Sequence, residues 1–302
     1  MQFKQLKQLK TAQDFDQELL ILFDAYVHGT IDRRGFLDRA QKFAVGGMTA
    51  GMLLTALSPD FARAQVVPKD DKRIKTETLE YPSTAGTGTV KGYLAKPANM
   101  TGKLPVVLVI HENRGLNPHI EDIARRLALD NFVAFAPDAL TPLGGYPGDE
   151  DKARELFGKL DQKKATEDFV AAGSFLNNRP ESNGKIGAVG FCYGGGIAHV
   201  LSIRMPELNA AVPFYGNLPA AADAVKAKAP LLMHFAEVDE RINAGRPAYE
   251  AALKAAGVRY TANQYPGTQH GFNNDTTPRF DATAAKLAWE RTIEFFNKNL
   301  RT

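Results

Sequence analysis

Gly190-Phe191-Cys192-Tyr193-Gly194-Gly195 lies where Lys185–Phe191, a run with strand character, gives way to Tyr193–Met205, a run with helical spacing. A reactive side chain framed by glycines at a strand-to-helix turn follows the pattern Gly-x-nucleophile-x-Gly, here with Cys in the place more often held by Ser. The turn is tight and strained. Side chains two residues to either side of Cys192 would clash, and glycine relieves both clashes. The turn exposes the sulfur at the C-terminal edge of the sheet and at a helix N-terminus, where the dipole favours the thiolate. Cys192 is the one cysteine of the chain. An intrachain disulfide and a zinc cluster built on several cysteines are therefore excluded. Away from such a turn, a lone cysteine reads as a small buried hydrophobe.

Working outward from the turn, strands alternate with helices from about Lys72 onward. Arg73–Tyr81 and Val90–Lys96 read as strands joined by a Gly/Thr turn. Leu104–His111 is a continuous apolar, β-branched run of the kind buried on both faces of a sheet. Asn117-Pro118 opens a helix over His119–Asp130, and Phe132–Pro137 is the next strand. Helical stretches follow from about Glu150 to Arg179. Asn209–Phe214, Pro230–Phe235 and Arg259–Tyr265 read as strands, with helices at Gly245–Ala256 and Asp281–Leu300. The alternation predicts an α/β domain over residues 65–302, with a mainly parallel central sheet and helices on both faces.

Three further features bear on Cys192. Asp239 stands just past the strand-like run Pro230–Phe235, with Glu237 a close competitor. His270 stands in Pro266-Gly267-Thr268-Gln269-His270-Gly271-Phe272, a loop between the last strand and the last helix. The order nucleophile, acid, histidine is that of α/β-hydrolases, in which the acid orients the histidine and the histidine serves as base. His111-Glu112-Asn113-Arg114-Gly115 follows the buried strand, at the point where this fold supplies an oxyanion N–H. Taken singly, each has a plainer reading: a surface aspartate, a loop histidine, a solvated glutamate.

With these residues in place, the chain resembles the dienelactone hydrolase family from roughly Glu77 to Leu300. The matching segments are Gly190–Gly195, Val109–Gly115, Phe132–Asp138 and Tyr265–Phe272. The resemblance implies hydrolysis of an ester or lactone by a cysteine acyl-enzyme route, without metal or other cofactor. It implies Cys192 as nucleophile, His270 as base and Asp239 as acid. It further implies that Glu112 contacts the resting thiol, and that the backbone N–H groups of Asn113 and Tyr193 hold the oxyanion. Founding members bind a substrate carboxylate with arginines, one of them shortly after the histidine. Here Gly271-Phe272-Asn273-Asn274 stands at that place, with no arginine before Arg279. Arg114 and Arg241 are the nearest candidates, at positions that do not match the family's.

Composition bounds the alternatives. The 302 residues are 44% hydrophobic and 24% charged, with formal net charge +3. No basic block or aromatic-interleaved basic stripe points to nucleic acid. HExxH, a GxGxxG after a first strand, and a Walker sequence are absent, which leaves zinc-hydrolase, nicotinamide and nucleotide sites unsupported. Rival readings are a thioesterase, acyltransferase or peptidase-like esterase on the same fold, and a non-enzymatic ligand-binding member. A redox sensor at Cys192 is weaker, for want of a resolving cysteine.

Residues 1–64 differ from the rest. Arg33-Arg34-Gly35-Phe36-Leu37, an uncharged stretch from Phe43 to Pro59, and Ala62-Arg63-Ala64 together resemble a twin-arginine signal with a cleavage site. That reading places the protein in the periplasm or outside the cell, by way of the twin-arginine export machinery. The run is too weakly apolar for a stable membrane span. Against export, Asp32 and Asp38 flank the motif, and Phe15-Leu19-Leu20-Leu22-Phe23-Tyr26 has helical apolar spacing. The alternative is an uncleaved helical extension on a cytoplasmic protein. N-terminal sequencing of protein from its native cells separates the two: export predicts a start at Gln65, retention an intact Met1.

Overall fold

The computed structural model describes residues 10–61 and 65–301. Among the described residues, three α-helices come first: α1 (Gln17–Val27), α2 (Arg33–Ala40) and α3 (Ala50–Leu57). The chain then enters the α/β region with β1 (Ile74–Ser83), β2 (Gly88–Pro97), β3 (Leu104–Ile110), α4 (Pro118–Leu129) and β4 (Val133–Pro137). It continues through α5 (Glu150–Phe157), α6 (Gln162–Asn177), β5 (Ser182–Phe191), α7 (Tyr193–Arg204) and β6 (Leu208–Phe214). The last elements are β7 (Leu231–Val238), α8 (Glu240–Asn243), α9 (Arg246–Ala255), β8 (Tyr260–Gln269) and α10 (Ala282–Leu300).

The eight strands form one sheet in the order β1-β2-β4-β3-β5-β6-β7-β8. The pairs β1·β2 and β2·β4 are antiparallel and every other pair is parallel. Helix start signals in the sequence correspond to real caps. The Asn117 side chain accepts from the Ile120 N–H ahead of α4, and Asp281 accepts from Ala284 ahead of α10. The side chains of Val106–Ile110 are fully buried because β3 lies mid-sheet with helices on both faces. Two hydrophobic clusters flank the sheet. One gathers Ile123, Phe132, Phe214 and Phe296, and the other Phe169, Leu176, Leu201 and Leu253.

Two strands run further than the apolar pattern predicts. β7 continues to Val238 and β8 to Gln269, so Asp239 and His270 each follow directly on a strand end. Neither extension carries an apolar pattern: Glu237 and Val238 at the end of β7 are exposed, and the buried residues at the end of β8, Thr268 and Gln269, are polar.

α1–α3 enclose a third hydrophobic cluster around Leu19, Phe23, Phe36, Leu53 and Leu57. Arg33-Arg34-Gly35-Phe36-Leu37 opens α2, with Asp32 capping the helix through the Gly35 N–H and Phe36 fully buried. The uncharged stretch Phe43–Pro59 contains the eight-residue α3. Ala62-Arg63-Ala64 lies outside the described residues. Among the described residues, no helix is long and apolar enough to cross a membrane.

The turn between β5 and α7 depends on close backbone approach. A Cβ on Gly190 would fall 1.9 Å from the Gly194 carbonyl oxygen, one on Gly194 2.2 Å from that of Ile110, and one on Gly195 2.5 Å from that of Phe214. At Gly196 the nearest atom would be 3.4 Å away. Gly190→Ala and Gly194→Ala should therefore cost more than about 3 kcal/mol, beyond ordinary overpacking, because the obstacle is backbone. Gly196→Ala should stay within about 1 kcal/mol, helped by the better helix propensity of alanine. Chemical denaturation of the three variants measures the contrast.

Candidate active site

Cys192 occupies the turn with φ 54° and ψ −111°, a left-handed conformation that non-glycine residues rarely adopt. It is held there from both sides: its N–H donates to the Phe214 carbonyl at 3.0 Å, and its carbonyl accepts from the Gly196 N–H at 3.2 Å. Strain of this kind costs about 1–3 kcal/mol and persists where the surroundings over-determine it.

The parallel pairing of β7 with β8 sets Val238 opposite Gln269. The next residue of each strand is therefore a neighbour of the other, and His270 Nδ1 donates to Asp239 Oδ2 at 2.6 Å. Both residues are buried. Glu237 points elsewhere, accepting from the Gly267 N–H at 2.7 Å. His270 Nε2 is left buried without a hydrogen-bond partner, within 4.8 Å of Cys192 Sγ.

A residue outside the sequence expectation completes the cluster. His28, following the last turn of α1, brings Nε2 to 3.3 Å from Cys192 Sγ. Its ring stands edge-on to that of His270, with centroids 4.8 Å apart. Burial alone would push the Cys192 thiol up. The charges of His28 and then His270 outweigh it and hold the thiol below its ordinary value. Burial pulls the His270 imidazole down, but the sulfur's charge and the Asp239 carboxylate raise it well above the usual histidine range. The same contest at His28, with Asp24 as the supporting carboxylate, also ends with the imidazole raised.

The other expected residues fall around this centre. Glu112, Asn113 and Arg114 line the cavity above the sulfur. The Glu112 carboxylate accepts from Asn274 at 2.9 Å, and it is His28 that stands in contact with the thiol. Tyr193 is the first residue of α7, where backbone N–H groups lack partners within the helix. Arg114 is buried, donating to the Val27 carbonyl and to Asn113 and lying 3.6 Å from Glu150. Arg241 donates to Asn217 at 2.8 Å and reaches His28 Nε2 at 3.1 Å. Arg279, distant in sequence from His270, turns back to line the same cavity and pairs with Asp24 at 3.2 Å.

His28, Cys192 and His270 present three donor atoms within 4.8 Å of one another, a set suited to a soft metal ion. The Arg241 guanidinium against His28 Nε2 places a fixed positive charge there, which disfavours a cation. The atoms are better matched to sharing a proton.

A mainly parallel sheet that turns sharply at a glycine-framed cysteine, followed in chain order by an aspartate and a histidine at strand ends, has the architecture of an α/β-hydrolase. Comparison with known proteins narrows the class. The family model for the dienelactone hydrolase family matches residues 90–300, and the chain belongs to that family. A second family model, YqhI-like, matches residues 7–45. An Escherichia coli K12 protein named "Putative carboxymethylenebutenolidase" is 32% identical over 77% of this chain and 90% of its own length. An E. coli K12 "Putative hydrolase fragment YghX" is 54% identical over 38% of this chain and 97% of its own length. The crystal structure of a "Putative Dienelactone Hydrolase" from Klebsiella pneumoniae superposes with a TM-score of 0.66 at 28% identity, covering 74% of this chain and 99% of that one.

With the thiol lowered, thiolate is present above the lowered value, and reaction with a soft electrophile rises with pH through it and then levels off. Iodoacetamide alkylation of Cys192 should reach half its plateau at least about one pH unit below the ordinary thiol value of about 8.5. His270→Gln should move that midpoint upward. A wild-type midpoint at the ordinary thiol value would contradict the reading of a paired thiolate.

Proposed function

We propose that this chain hydrolyses a small ester or lactone through a Cys192–His270–Asp239 triad and a thioester intermediate. The observation that carries the proposal is the convergence of the three side chains, from the ends of β5, β7 and β8, with the Asp239–His270 bond at 2.6 Å. Asp239 fixes the tautomer and the ring, leaving Nε2 directed to the nucleophile.

The Cys192 thiolate attacks the carbonyl carbon. The resulting oxyanion accepts hydrogen bonds from the backbone N–H groups of Asn113 and Tyr193, each worth about 3 kcal/mol in a comparable site. Collapse of the tetrahedral intermediate breaks the ester C–O bond, and the leaving oxygen takes a proton from the His270 imidazolium. In a lactone this opens the ring and keeps both halves on the enzyme. Water, deprotonated by neutral His270, then attacks the thioester. The acid leaves and the thiolate returns.

Arg114 and Arg279 line the cavity and Arg241 borders the cysteine cluster, so a substrate bearing a carboxylate fits this reading. Dienelactone-like compounds are of that chemistry. A thioester substrate would use the same machinery.

The test is turnover of p-nitrophenyl acetate and a panel of small lactones by wild type and Cys192→Ala, with mass spectrometry of the protein during turnover. The expected result is activity that falls by at least about a thousandfold in the variant, as for removal of a nucleophile, with an acyl adduct on Cys192. Equal activity in both proteins, or no activity and no adduct, would sink the mechanism.

A further inference from the structure

α1–α3 keep their hydrophobic cluster to themselves and meet the rest of the protein mostly through polar contacts. Arg33 pairs with Asp151 at 2.7 Å, Gln17 and Gln269 exchange side-chain hydrogen bonds, Asn113 donates to the Val27 carbonyl at 2.8 Å, and Arg279 pairs with Asp24. This docking seats α1 over the nucleophile. The cavity left above Cys192 encloses about 40 Å³. That is room for a few waters, far short of the several hundred Å³ of a ligand pocket. While α1 is seated, that space is smaller than an ester needs, and the seating decides what surrounds the sulfur.

Seated, they add a second carboxylate–imidazole pair. His28 Nδ1 donates to Asp24, with the backbone oxygen at 2.8 Å and Oδ2 at 3.2 Å. That commits Nδ1 and turns Nε2 to the sulfur at 3.3 Å. The arrangement repeats Asp239–His270 on the other side of one thiol. In this closed state it is His28 that contacts the sulfur, while His270 Nε2 has no hydrogen-bond partner.

We propose that Asp24 and His28 form a second catalytic carboxylate–imidazole pair on Cys192, supplied by the N-terminal helices, which takes up the thiol proton when those helices are seated. The S–H bond breaks, an N–H bond forms at His28 Nε2, and the electron pair stays on sulfur. Nδ1–H remains on Asp24. His270, whose charged form the thiolate and Asp239 also favour, keeps its later roles: its imidazolium protonates the leaving group, and the neutral ring then deprotonates water. The groups facing His28 are Asp24 on its own helix, Cys192 and His270 beneath it, Arg241 from α8, and Arg279 behind Asp24. Arg241 opposes a positive charge on His28. Asp24, held well below the usual carboxylate range, and the thiolate favour one.

The inference rests on Cys192 being the nucleophile, and its test is kept separate from turnover. Full-length wild type, His28→Gln, Asp24→Asn and Arg33→Ala are alkylated with iodoacetamide across pH. The midpoint reads thiol ionisation and the alkaline plateau reads access to the sulfur. His28→Gln should raise the midpoint by about one pH unit, so that well below the wild-type midpoint its rate relative to plateau drops about tenfold. Asp24→Asn should move it in the same direction by less, and it serves alone if His28→Gln does not fold. Arg33→Ala loosens the docking of the helices that carry His28, and it should raise the midpoint by less than His28→Gln while raising the alkaline plateau. An unchanged midpoint in a folded His28→Gln protein, or in Asp24→Asn where His28→Gln does not fold, would overturn the proposal. Ester and lactone turnover on the same samples tests the hydrolase reading independently.

Discussion

The approach of α7 to the sheet at Gly190, Gly194 and Gly195 is the constraint around which the rest is arranged. Carbonyl oxygens of Ile110, Gly194 and Phe214 stand where Cβ atoms would otherwise be. The helix can start that close to the sheet only because the turn at Cys192 is wound into a left-handed conformation. That winding lifts the sulfur out of the sheet plane, and it points the first N–H groups of α7 at the same space. The geometry that strains the backbone is also the geometry that sets the Cys192 thiol at the start of α7. The neighbouring strands hold it in place, through the bond from the Cys192 N–H to Phe214.

Around that fixed point, charge is assembled from parts of the chain far apart in sequence. Asp239 and His270 meet because two parallel strands end in register. Asp24 and His28 meet because they are one helical turn apart, and they reach the thiol because α1 docks above it. The sulfur sits in an environment that would by itself suppress ionisation, and the imidazoles reverse that preference. Burial makes each partner worth more, since no solvent screens the pair. It also makes the ionisation sensitive to any movement of the helix that carries His28.

The legible part of the sequence was local. Strands, helices, caps and the glycine-framed turn each depend on a few adjacent residues, and the structure reproduces them with small shifts at their ends. The extensions of β7 and β8 had no apolar pattern to announce them, because their last residues are exposed in β7 and polar where buried in β8. Asp239 and His270 were legible because chain order and strand ends constrain them. Glu112 was placed at the right loop, but the contact it makes with Asn274 depends on packing that no local pattern encodes. Arg279 appeared too far past the histidine. The intervening turn, with Gly271 at φ 86°, folds it back toward the site.

Residues 10–61 mark the limit most clearly. Apolar spacing indicated a helix over Phe15–Tyr26, ending short of His28, and the basic pair with its apolar run equally suggested a signal. Nothing within that segment states what it touches. An i, i+4 Asp–His pair on a helix is ordinary, and it acquires meaning only when the helix is laid across Cys192, more than 160 residues later in the chain. Short-range backbone geometry and chain order were enough to read the α/β architecture, the glycine-framed turn at Cys192, and the places of Asp239 and His270 at strand ends. Tertiary structure alone decided which histidine faces the sulfur, which arginines reach the cavity and how far the thiol is ionised, because those follow from long-range packing and from electrostatics that act through space.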